Sequence, residues 1–324
     1  MPHAALIRAL AITACSLCLI VVVLGAYVRL SDAGLGCPDW PGCYGHLSPI
    51  GAAESGQALD PGKAWREMLH RYAAGTLGLL IVCLAAMSVA WRRERIAPLG
   101  LTLVLPAIVI VQGLFGMLTV TWRLKPLIVT LHLLFGLATL SLLWWLVLEL
   151  ARRRAGPWSH SAGLHGGRLT AARTLALLAL LTLAAQIALG GWTSSNYAAL
   201  ACPDLPTCQG SWWPPADFRS GYSLWRGIEA QGLVAIHLVH RLGAMVASAV
   251  LTAAAIAALA SPAQGLVRRA ALLVLALLCL QLTIGLTMVL RGFPLWLATA
   301  HNAGAALLLL AILALNSSLR PAKP

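Results

Sequence analysis

Leu24-Gly25-Ala26-Tyr27, followed by Cys37-Pro38-Asp39 and Cys43, returns later in the chain as Leu189-Gly190-Gly191-Trp192, Cys202-Pro203-Asp204 and Cys208, a shift of 165 residues. His70-Arg71 returns as His240-Arg241, five residues late because the second outer loop is longer. Gln112, Gly116 and His132 return as Gln281, Gly285 and His301, each shifted by 169. Self-similarity of this kind outranks any local signal. Each half carries a cysteine pair, a His-Arg and one later histidine, so each half is expected to hold one copy of the same site.

Composition sets the class. Hydrophobic residues make up 60% of the 324 and charged residues only 10%, against about 25% charged in a soluble domain. A spanning helix needs about 20 mostly apolar residues. Eight stretches qualify: 6–30, 70–91, 97–120, 127–149, 173–193, 231–259, 269–290 and 295–315. The expected fold is therefore an all-α integral membrane protein with eight transmembrane helices. It is built as two tandem, pseudo-symmetric four-helix bundles, residues 1–151 and 169–324, joined by a linker over 152–168 rich in Arg, Gly, Ser and His. An even number of helices per half makes these parallel repeats.

Orientation follows the positive-inside rule. With the N-terminus inside, the inner segments collect Arg8, Arg92, Arg93, Arg95, Arg152, Arg153, Arg154, Arg168, Arg173, Arg268, Arg269, Arg320 and Lys323, more than half of the 23 basic residues. Both termini are then cytoplasmic, and the long loops 31–66 and 194–230 lie on the outer face of a cell membrane. The formal charge of +13 reads as topology plus contact with anionic lipid, not as nucleic-acid binding. Cys37, Cys43, Cys202 and Cys208 fall in the outer loops, where an oxidising compartment permits two short disulfides; zinc is the alternative. Cys15, Cys18, Cys83 and Cys279 lie within apolar helices and read as small hydrophobes.

His70, His132, His240 and His301 stand at the same ends of helices 2, 4, 6 and 8. Ionisable residues at membrane depth are costly and mark function. Imidazole pairs on facing helices are the natural axial ligands of haem iron, whereas zinc or copper would draw further Cys, Asp or Glu. Arg71 and Arg241 follow a histidine in each half and are suited to haem propionates. Glu67 breaks the repeat: three residues before His70, it shares a helix face with it, while His237 stands at the equivalent place before His240. One site with a carboxylate and one without suggests that only one does chemistry. The simpler alternative places Glu67 at the positive end of helix 2. His3, His46, His160 and His165 read as solvated loop or terminal residues.

These residues resemble the haem A synthase family of bacterial and mitochondrial membranes. The matching stretches are Gly25-Ala26-Tyr27-Val28-Arg29-Leu30-Ser31 with Gly34-Leu35, then Cys37-Pro38-Asp39-Trp40-Pro41 and Cys43, and Glu67-Met68-Leu69-His70-Arg71. Gln112, Gly116 and Thr119, His132, His240-Arg241 and His301 complete the match. The resemblance implies oxidation of the C8 methyl of haem O to a formyl group, giving haem A for cytochrome oxidase. It implies that His70 and His132 flank the iron of substrate haem O, that His240 and His301 ligate a haem b, and that Glu67 is catalytic. A disulfide in the first outer loop is the state expected of members with these cysteines. The partners implied are haem O itself, haem O synthase and oxidase assembly factors; a homo-oligomer stays open.

Two other classes compete. A di-haem electron carrier working with quinone predicts equivalent sites and no lone carboxylate. A transporter built from parallel repeats predicts broken helices near the midplane, whereas these histidines cluster at the outer ends.

Overall fold

The computed structural model describes residues 2–56, 58–155, 167–224, 227–261 and 265–320. Among these, regular structure is helical. Eight helices are long and apolar enough to cross a membrane: α1 (Pro2–Leu30), α2 (Pro61–Ala90), α3 (Leu99–Thr121), α4 (Pro126–Ala155), α5 (Gly167–Ser195), α6 (Ala230–Leu259), α7 (Leu266–Leu290) and α8 (Leu295–Ser318). In hydrocarbon every backbone polar group must be paired within the protein, and a helix achieves this segment by segment. Most of the expected linker, residues 156–166 with His160 and His165, lies outside the described residues.

One boundary differs from the sequence reading in a way that matters. Hydropathy starts the second span at residue 70, yet α2 begins at Pro61. Asp60 caps it, its carboxylate accepting the Lys63 N–H at 3.0 Å, and Pro61 fits the first helical position, where no N–H is needed. The polar opening turns carry no apolar signal, so hydropathy passes over them. Glu67 therefore sits beyond the first turn, where the helix-end charge has largely faded.

The chain divides into two compact units, Met1–Leu150 and Ala151–Pro324. In the first, α2 packs on α1 and on α3, and α4 meets α3 through Phe115 and Phe135, whose rings stack at 5.2 Å. In the second, α5 packs on α6, α6 on α7, α7 on α8 and α8 back on α5, a closed four-helix arrangement. Arg173 and Asn316 tie the far end of that arrangement, donating to Leu319 O at 2.7 Å and Ala176 O at 2.9 Å.

Each unit carries a loop of one design. Cys37–Cys43 and Cys202–Cys208 are disulfides. Each closes on a tight turn, with paired backbone bonds Cys43–His46 and Cys208–Ser211. Both central residues of each turn have positive φ (Tyr44 52°, Gly45 77°; Gln209 55°, Gly210 74°), the signature of a primed hairpin turn and the reason glycine follows. Asp39 accepts from the N–H groups of Tyr44 and Gly45, and Asp204 from those of Gln209 and Gly210. Behind the first disulfide, Ala52, Ala64 and Met68 are buried; behind the second, Val234.

Candidate haem-binding sites

In the first unit His70 on α2 and His132 on α4 are electrostatic neighbours, and in the second His240 on α6 and His301 on α8 are too. Each ring rests against a glycine of an adjacent helix. A Cβ at Gly25 would come within 2.9 Å of His70 Cε1, at Gly116 within 3.3 Å of His132 Cε1, at Gly190 within 3.1 Å of His240 Cε1 and at Gly285 within 3.0 Å of His301 Cε1. Four histidines on four glycines, two per unit, is the repeat of the sequence turned into contacts. The four glycines belong to the repeat, but nothing in their spacing says which ring each one faces.

The residues fit haem iron. Paired imidazoles are a haem donor set, and the Nδ1 atoms of His70 and His132 are buried without a hydrogen-bond partner. Among the described residues no group of three or more His, Cys, Asp or Glu could hold a bare metal ion. The disulfides take the outer cysteines out of consideration as zinc ligands.

Glu67 is buried, with 4% of its surface exposed. Its Oε2 accepts the backbone N–H of Cys37 at 2.9 Å, and its Oε1 pairs with Arg71 Nη2 one turn on. Arg71 in turn donates to the carbonyls of Asp39 (2.8 Å), Cys37 (3.2 Å), Pro41 (3.3 Å) and Gly42. In the second unit Arg241 does the same for Thr207 (2.8 Å), Cys202 (2.8 Å) and Asp204 (2.9 Å). His237 replaces the carboxylate, accepting through Nε2 from Arg241 Nε at 3.3 Å. Both arginines thus clamp the disulfide loop over the histidine end of the bundle, a use that their position after histidine did not reveal.

Outside the spans, the loop carboxylates are strongly held. The Thr207 hydroxyl and the Gly210 and Gln209 N–H groups lower the Asp204 pKa from 3.8 to about 2. Partial burial opposes ionisation of Asp39, but the Gly45 and Tyr44 N–H groups and the Arg71 charge hold its pKa below the ordinary value.

The sequence profile of the COX15-CtaA family, cytochrome oxidase assembly protein, matches residues 8–313. The chain belongs to this family. It is 40% identical over 316 residues to a protein named heme A synthase in Shewanella oneidensis, covering 92% of each chain. It is also similar to proteins of the same name in Rhizorhabdus wittichii (29% identical, 90% of this chain and 88% of the relative) and Nitrosospira multiformis (28%, 94% and 91%).

Two further features of this COX15-CtaA member lay outside the sequence reading. Gln186 on α5 reaches His240: its Nε2 donates to the His240 carbonyl at 3.0 Å and lies 3.1 Å from Nδ1. Gln281 treats His301 alike, at 3.0 Å and 3.3 Å. An amide inside an apolar helix was the available signal for Gln186; the repeat drew attention only to Gln112 and Gln281.

Proposed function

We propose that the chain is a haem A synthase, a multi-pass oxidoreductase that converts the C8 methyl of haem O to a formyl group for cytochrome oxidase. The observation that carries this reading is the pair of histidine sites that differ in one charged neighbour, Glu67 against His237. In this reading His70 and His132 hold the iron of substrate haem O, and His240 and His301 ligate a haem b. Both termini and the linker between the bundles face the cytoplasm, and the disulfide loops lie on the outer face of the cell membrane.

A porphyrin methyl is hard to oxidise, so a haem b held by His240 and His301 would supply electron transfer while the protein supplies position and electrostatics. Two successive hydroxylations would each exchange a methyl C–H for C–OH, with two electrons and the displaced proton passing to an external oxidant, and the resulting gem-diol would lose water to the aldehyde. Glu67 shares a helix face with His70, and Arg71 and the Cys37 amide fix the orientation of its carboxylate. It is placed to hold a proton or a water at the substrate. Arg71 and Arg241 put a cation at the loop end of each site, where haem propionates find charge complementarity. Haem O has a farnesyl tail, and a helix bundle open sideways to lipid can host it.

Pigment extraction from cells with and without the gene tests the reaction: haem O should accumulate without it and haem A return with it. A di-haem electron carrier would leave the haem O to haem A ratio unchanged, and that outcome would remove this proposal.

A further inference from the structure

The two histidine pairs are not held alike, and at His70 against His240 the difference goes with two positions that change together. The register that aligns Gly25 with Gly190 aligns Val21 with Gln186, and the register that aligns His70 with His240 aligns Ala73 with Gly243. Gln186 lies directly over Gly243, so a Cβ at that glycine would overlap its Oε1. Glycine at 243 therefore makes the room that the amide occupies on its way to His240. In the first unit Val21 has no polar side-chain atom, its backbone carbonyl is the group that can accept from the His70 ring, and Ala73 stands where the second unit has Gly243. Gln112 and Gln281, by contrast, are the same residue in both halves.

A histidine that ligates iron through one nitrogen carries a proton on the other, and the group accepting that proton fixes the ring and makes it a better ligand. Gln186 Oε1 is buried and without a hydrogen-bond partner, and which amide atom faces Nδ1 is set by the ring's protonation. Gln186 can thus restrain His240 through its carbonyl in one state and accept from Nδ1–H in the other. Val21 has no side-chain amide to bridge the His70 ring and main chain; it offers only its backbone carbonyl as an acceptor. A resident cofactor needs a fixed ligand; a substrate that must enter, react and leave needs one that lets go.

We propose that Gln186 with Gly243, against Val21 with Ala73, is the positioning device that makes the second site retain its haem and the first site exchange it. The inference rests on the assignment of haem b to His240 and His301.

The test uses the purified full-length protein in detergent, with transfer of haem to apomyoglobin as the readout. Gln186→Met keeps the side-chain volume and removes the amide. It should start with the same low-spin spectrum and lose haem b at least about tenfold faster, the usual cost of removing a group that supports a metal-bound histidine. The reciprocal V21Q/A73G variant, loaded with haem O, should release it about tenfold more slowly. Wild-type release from Gln186→Met overturns the inference. If that variant does not fold, unchanged release of haem O from V21Q/A73G overturns it. His240→Ala separates the two levels: full haem b in that variant overturns the site assignment and the inference with it. Loss of haem b there, with wild-type release from Gln186→Met, overturns the inference alone.

Discussion

Glu67 Oε2 accepts the backbone N–H of Cys37 at 2.9 Å, so a buried carboxylate one turn from His70 is joined to the disulfide that closes the outer loop. Its other oxygen meets Arg71, which gathers four carbonyls of the same loop. Loop, clamp and histidine form one connected structure. In the second unit the clamp survives and the carboxylate does not.

Replacing Glu67 by Gln keeps size and an acceptor for the Cys37 amide while removing the charge. We expect Glu67→Gln to fold, to retain haem b, and to accumulate haem O or a hydroxylated intermediate. Pigment analysis reads the result; a wild-type yield of haem A would reduce Glu67 to a loop anchor.

Arg241 satisfies the carbonyls of Thr207, Cys202 and Asp204 with a planar fork. A lysine cannot reproduce that geometry, and each buried carbonyl left unpaired costs about 1–3 kcal/mol. Arg241→Lys should loosen the second loop, seen as faster proteolysis between Cys202 and Glu229 with the helices intact. Unchanged cleavage would show that the disulfide alone holds the loop.

Gly190 leaves 3.1 Å between a would-be Cβ and His240 Cε1. Alanine in a helix is favoured over glycine by about 1 kcal/mol, so Gly190→Ala should melt no lower than wild type and yet bind less haem b. Stability and occupancy moving in opposite directions is the signature of a cradle. Full haem b content, read from the absorbance spectrum, would mean the ring has room to shift.

Asp204 has its pKa lowered from 3.8 to about 2, by the Thr207 hydroxyl first and then by backbone N–H groups. A depressed carboxylate contributes stability that is complete above its ordinary value and is lost as pH falls through the folded one. The turn at Gln209 and Gly210 should therefore keep its amide-exchange protection at pH 3.8 and lose it as pH approaches 2. In Asp204→Asn that pH dependence should be gone; if it persists, another group governs the turn.

The linear order of residues by itself determined the membrane class, the eight helices, the doubling of the chain and the four histidines. These are properties of hydropathy and spacing, which survive projection onto one dimension. It did not determine where α2 begins, because Asp60 and Pro61 start that helix in a polar stretch. Only the tertiary structure decided that Arg71 and Arg241 clamp loops, that each of the four paired histidines lies on a glycine, and that the Gln186 side chain reaches His240 while Val21 offers His70 only its backbone carbonyl. Those relations depend on how one helix is rotated against the next. A repeat in sequence names the equivalent positions but says nothing of what faces them, because side-chain partners are chosen by packing across elements distant in the chain.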